Sequence, residues 1–144
     1  MSAFFDTGEP FSAAEIVAAM TRLHAESETY LAAIPAAEFA APQGEKWSPA
    51  DHVRHLAKST YPLVGALGLP KLLLGLRFGR SRTGSRSLLE IREIYRATLR
   101  ETGATAGRFA PSAQAAPADP AAWQQEVLAK WRGAVSGLAL RIPR

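Results

Sequence analysis

The chain has 144 residues, 47% of them hydrophobic and 21% charged, with a formal net charge of +4 and no cysteine. That length suits one domain, here 1–144, and the composition is that of a folded globular protein, not a disordered or fibrous one. The lack of cysteine excludes disulfide frameworks, zinc–thiolate sites, iron–sulfur clusters and thiol nucleophiles, and a pI near 9.9 is mildly basic without being polybasic.

The opening Met-Ser-Ala-Phe-Phe-Asp-Thr-Gly-Glu-Pro carries no basic region, and Asp6 and Glu9 interrupt any apolar run, so it does not read as a secretory signal. The most apolar stretch, Leu63 to Leu76, is broken by Pro70 and Lys71 and is too short to span a bilayer. A cytoplasmic protein is the expectation. At the other end, Ala139-Leu-Arg-Ile-Pro-Arg144 follows a helical pattern with no closing element.

Strand signals are nearly absent, and alanine, a strong helix former, is abundant. Four helix starts are legible from their caps. Ser12-Ala-Ala-Glu15 is a capping box, followed by a seam of Ile16, Met20, Leu23, Ser27, Tyr30 and Ile34 that Pro35 ends. Ser48-Pro49-Ala50-Asp51 combines a cap, a proline at the first helical position and an acid at the positive end of the dipole. Val53, Leu56, Thr60, Leu63 and Leu67 mark its face, and Pro62 predicts a kink or break near Thr60–Tyr61. A short helix is expected from Pro70 to Phe78. Ser87-Leu-Leu-Glu90 is again a capping box, with a stripe of Leu88, Ile91, Tyr95, Thr98 and Thr102, Ile94 and Leu99 beside it, and Gly103 placed to end the helix. Asp119-Pro120 opens the fourth, with Trp123, Val127, Lys130/Trp131, Ala134 and Leu138 at helical spacing. Gly133 and Gly137 weaken that helix by roughly 1 kcal/mol each relative to alanine. Between these elements lie a basic, glycine- and serine-rich loop (79–86) and an Ala/Pro/Ser-rich crossing (104–118).

The densest chemical signal is Lys46-Trp47-Ser48-Pro49-Ala50-Asp51-His52-Val53-Arg54-His55-Leu56, which holds two of the chain's three histidines at i and i+3. Such a pair can aim both rings at one point. With Leu56 as the centre of the buried stripe, His52 lies about 40° off centre and His55 about 100° off, which makes His52 the more inward-facing. Trp47 has two readings: a hydrophobic staple that packs on His52 or Val53 in front of the Ser48 cap, or the wall of a pocket.

This segment, opening the second helix of an all-helical chain, resembles the DinB/YfiT-like superfamily of four-helix-bundle metalloproteins. Ser59-Thr60-Tyr61-Pro62-Leu63 and Leu69-Pro70-Lys71 resemble one branch of it, and the resemblance is strongest over 12–103. It implies an up-down helical bundle, here three long helices plus a weaker C-terminal fourth. It also implies a divalent metal acting as Lewis acid or water activator in hydrolysis or thiol-type transfer. Family members hold the metal with the histidine that maps onto His55 and a His-x3-His pair on the last bundle helix. No histidine follows His55 in this sequence, so the resemblance implies that the family's final helix is lacking.

His55, then His52, then His24 are the candidate ligands for zinc, nickel or iron. The competing reading of each is a hydrogen-bonded packing residue, because catalytic zinc usually takes three protein ligands. No acidic residue lies between Asp51 and Glu90, while Lys71, Arg77, Arg80, Arg82 and Arg86 do, beside Arg54 and Lys58. That segment is either a contact for an anionic surface or, as we favour, a solvated loop. Nucleic-acid binding is not expected, since no helix-turn-helix or aromatic-interleaved basic stripe occurs. No P-loop, nucleophile elbow or paired catalytic carboxylate is present either. Two functions stay open: a metal-dependent hydrolase or transferase relative with an incomplete metal site, and a non-catalytic bundle that works by self-association or by binding a partner or ligand. A bare apolar face would be filled by the helix from Pro120 or by a second chain in a dimer.

Overall fold

The computed structural model describes residues 5–103 and 105–142, so the expectations that touch residues 1–4, 104 and 143–144 lie in that part outside the described residues. The described residues form six α-helices and one 3-10 turn, with no strand beyond an isolated bridge between Gln43 and Lys46. In order these are α1 (Ala13–Ala32), α2 (Ala36–Ala40), α3 (Pro49–Leu67), α4 (Lys71–Phe78), α5 (Leu88–Thr102), the turn Gly107–Phe109 and α6 (Pro120–Arg141). The all-helical expectation holds.

The caps form as their chemistry requires. Ser12, Ser48 and Ser87 each accept from the amide three residues on, and Glu15, Asp51 and Glu90 reach back to the cap amide. Asp119 accepts from the Ala122 amide at 3.0 Å. Gly103 ends α5 in the left-handed region, where a side chain would be strained. Between α2 and α3 the chain reverses over Gln43–Lys46, with Gly44 at φ 65, and this turn delivers Trp47 to the start of α3.

α6 is the centre of the fold, which corrects its expected role as a weak fourth helix. It is the longest element, and it packs along α3 on one side and α1 on the other. α3 runs parallel to it: Tyr61 Oη donates to the Lys130 carbonyl at 3.1 Å, Val64 lies at Gly137 and Gly68 at Arg141. α1 runs antiparallel: His24 meets Trp131, and Gln124 Nε2 donates to the carbonyls of Leu31 and Ile34, both at 3.0 Å. Of the two glycines that lower α6's intrinsic propensity, Gly137 lets α3 approach. A Cβ at Gly137 would stand 3.2 Å from Val64 Cγ1. Tertiary packing outweighs propensity here.

The core is small and sits where α2, the first half of α3 and the first two-thirds of α6 meet. Phe39, Ala50, Val53, Ala57, Val127, Leu128 and Trp131 form it, with Leu31, Ile34, Trp123 and Val135 against its edge. Burying a side chain such as Phe39 contributes about 2–3 kcal/mol.

Two local expectations are corrected. Of the kink or break expected at Pro62, the break does not occur: α3 runs unbroken to Leu67. Pro62 is exposed, so water reaches the turn whose amide bond it forfeits. Leu56 is not the centre of the buried face, being 45% exposed. α3 carries two adjacent apolar stripes, and α6 covers the one formed by Ala50, Val53 and Ala57.

Candidate functional site

The N-terminal half of α3 gathers most of the polar chemistry. Trp47, immediately before the cap, touches both histidines: its ring centroid is 5.4 Å from that of His52 and 5.4 Å from that of His55. The staple geometry is therefore present, and Trp47 also lines a cleft. His52 is exposed and His55 half-buried, which reverses their expected order. The reason is the rotation of α3: with Val53 rather than Leu56 turned inward, His52 swings to solvent. His55 does not face the bundle interior. Its Nδ1 lies 3.0 Å from the Phe109 carbonyl oxygen.

His55 belongs to a row of donors that holds the 109–112 crossing to α3. Lys58 Nζ donates to the Ala110 carbonyl at 2.8 Å and Arg54 Nη2 to the Ser112 carbonyl at 3.0 Å. A carbonyl accepts only, so Nδ1 of His55 carries the proton in this bond. Arg54 also binds Asp51 through Nη1–Oδ1 at 2.9 Å, and the other carboxylate oxygen of Asp51 accepts from Ser48 Oγ at 2.9 Å. Crossing, α2 and the start of α3 together enclose a cleft of about 730 Å³. Trp47 and Trp123 are its large apolar surfaces, Arg54 and Asp51 its charged groups, and alanines and prolines the rest. Below it, on the other side of Arg54 and Ser112, a smaller cleft of about 280 Å³ reaches Tyr61 and Lys130.

His24 stands apart from this cluster, on α1. It is half-buried, with its ring centroid 4.5 Å from that of Trp131. Its Nε2 is buried and has no hydrogen-bond partner among the described residues, and its Nδ1 is 3.7 Å from Glu28 Oε2. Burial, which penalises the imidazolium, holds its pKa below the ordinary histidine value; Glu28 opposes this and Arg132 adds to it. Glu28 is itself held below the usual carboxylate range by its bond from Arg132 of α6. So His24 and Glu28 fasten α1 to α6 and sit away from His52 and His55.

This decides how a metal would fit. Among the described residues no three His, Asp or Glu side chains converge on one point. His55 offers one imidazole nitrogen, His52 turns to solvent, and His24 lies on another helix against Trp131. A single imidazole does not hold or select a divalent ion, so the described residues do not fit the group that the resemblance implies.

Lys71, Arg77, Arg80, Arg82 and Arg86 are all exposed, on α4 and the loop after it. Arg77 lies over the ring of Phe78, 5.7 Å from its centroid. No helix of the described residues is long and apolar enough to cross a membrane.

Two features of the site escape sequence reading. Trp123 was legible as a helix-face residue but not as the second wall of a cleft, because the wall opposite it comes from residues far upstream. Arg54 and Lys58 read as free charges, whereas both donate to the crossing, and the proline-rich composition of 111–120, poor in amides to pair with those carbonyls, was the available signal. The chain matches no family model, no curated protein and no solved structure.

Proposed function

We propose that this chain is a non-catalytic helical bundle of the DinB/YfiT-like kind that binds a small, flat, mainly apolar molecule in the cleft between Trp47 and Trp123. The motif Lys46–Leu56 at the start of α3 and the all-helical architecture support the kinship. The cleft carries the functional reading: its volume of about 730 Å³ falls within the usual range for small-molecule sites, and it pairs two indole surfaces with a single charged pair, Arg54 and Asp51. Such a site grips by apolar burial and orients by one polar contact.

The test is a titration of indole, benzoate and benzamidine, three flat probes that differ in charge, followed by Trp fluorescence in a Trp131→Phe background. At least one should bind with a Kd below about 1 mM. Trp123→Ala should weaken it at least tenfold, and Tyr95→Ala, remote from the cleft, should leave it unchanged. Failure of all three probes, or indifference to Trp123→Ala, overturns the reading.

The His55–Phe109 bond favours a second reading. Metal-binding histidines commonly give one ring N–H to a backbone carbonyl and the other nitrogen to the ion. In this reading His55 Nε2 is one ligand of a divalent cation, and a partner supplies the rest. Calorimetric titration of zinc and nickel distinguishes the two. Stoichiometric binding lost in His55→Ala supports the metal; weak binding indifferent to that change supports the cleft alone.

A further inference from the structure

The three-helix layer α1–α6–α3 leaves one side open. On α1, His24, Glu28 and Leu31 turn towards α6, and the stripe Ile16–Leu23–Tyr30 lies about 100° behind them around the axis. On α3, Val53, Ala57 and Val64 turn towards the core and α6, and the stripe Leu56–Leu63–Leu67 lies about 80° behind them. The two rotations have the same sense along the sequence, but α1 is antiparallel to α6 and α3 is parallel to it. In space they are therefore mirrored, and both stripes face the same side of the layer. They form the walls of a groove opposite α6. Tyr30 is 56% exposed there, with the ring of Phe5 edge-on to it at 6.2 Å, and Leu63 is 54% exposed.

The chain also carries a helix without a seat. None of the residues of α5 is buried, and α5 makes no more than glancing contact with any other helix. Its Leu88, Ile91, Tyr95, Leu99 and Thr102 fall within about 80° of arc with no charge among them. Arg92 borders the stripe, about 20° beyond Leu99, and Arg96, Arg100, Glu90, Glu93 and Glu101 occupy other sides of the helix. Tyr95, at the middle of the stripe, is 62% exposed. The heptad-like spacings of Leu56/Leu63 and of Leu88/Tyr95 match, as helices that pack along one another require.

The area supports a partner of the same kind. The chain exposes 10554 Å². A compact monomer of 15.5 kDa exposes about 7,200 Å². Two chains together thus carry roughly 6,000 Å² of excess surface, enough to supply the roughly 2,000–5,000 Å² or more that obligate homodimers bury in all.

We propose that α5 of a second copy lies in the groove between α1 and α3, and that the exchange is reciprocal. Each protomer then has four long helices around one core, three of its own and one from its partner. The two-fold exchange closes on itself and leaves the Trp47–Trp123 cleft, on the far side of α3, untouched.

The absence of native cysteine makes the test direct. Light scattering at micromolar concentration should give twice the 15.5 kDa chain mass, and Tyr95→Glu should halve it with helical circular dichroism retained. Leu63→Cys and Tyr95→Cys chains, prepared separately, mixed and oxidised, should form a disulfide between different chains. A wild-type monomer overturns the proposal. So does a double variant, Leu63→Cys with Tyr95→Cys, that cross-links within one chain at high dilution, since α5 would then fold back on its own α3. Failure of Tyr95→Glu to fold leaves the cross-link to decide, and no disulfide between chains of proven native helicity also overturns it.

Discussion

His55 Nδ1 and the carbonyl oxygen of Phe109 meet at 3.0 Å across 54 residues of sequence. The bond is the first of three that hold the entry to a proline-rich crossing, followed by those of Lys58 to Ala110 and Arg54 to Ser112. His55→Ala should cost about 1 kcal/mol of stability, the net worth of a hydrogen bond of this kind. Amide exchange over 106–114 should quicken at the same time, while exchange in the second half of α6 stays as it was. Urea unfolding and hydrogen exchange read the two effects separately.

His24 makes folding sensitive to mild acid. The ordinary histidine value is 6.5, and burial holds His24 below it in the folded chain. Well above pH 6.5 the ring is neutral in both states and contributes no pH dependence. As pH falls below 6.5, the unfolded chain takes up a proton that the folded chain resists, so stability declines until pH passes the folded value. The urea midpoint should fall between pH 7.5 and 5.5, and His24→Phe should flatten that part of the slope. Glu28, held low by Arg132, loses its pairing only in stronger acid.

The two glycines of α6 should respond oppositely. A Cβ at Gly133 meets only Tyr61 Oη, at an ordinary 3.6 Å. Gly133→Ala should therefore raise stability by about 0.5–1 kcal/mol through helix propensity. Gly137→Leu should lower it by about 1–3 kcal/mol, because Val64 already occupies the space. Thermal unfolding of the two variants checks the contrast.

Gln124 closes the end of α1 through its side-chain amide, which serves two carbonyls at once. Gln124→Leu keeps the bulk and removes both donors. The half-buried carbonyls of Leu31 and Ile34 lose their side-chain partner, and the expected cost is about 1–3 kcal/mol in urea unfolding.

These residues also show what the sequence carries and what it withholds. Ser12, Ser48, Ser87 and Asp119 bond within three positions of themselves, so each helix start could be read from four consecutive letters. The short helix after Pro70 and the stop at Gly103 were equally local. The choice between Leu56 and Val53 was not, because α3 has two apolar stripes and only the position of α6 selects between them. On α1 the heptad seam drew attention to Ile16 and Tyr30, whereas α6 engages His24 and Glu28 beside it. The roles of His55 and Trp123 depend on chain segments tens of residues away, which periodicity does not reach.

The parallel course of α3 and α6 has a kinetic consequence. Two parallel neighbours cannot be joined by a short turn, and the intervening chain must travel back along their length before they can dock. Tyr61 and Lys130, bonded across this interface, are 69 positions apart. Most all-helical proteins assemble quickly because their pairings are close in sequence. This one must close a large loop before its main interface exists, so it should refold more slowly than helical bundles of similar length.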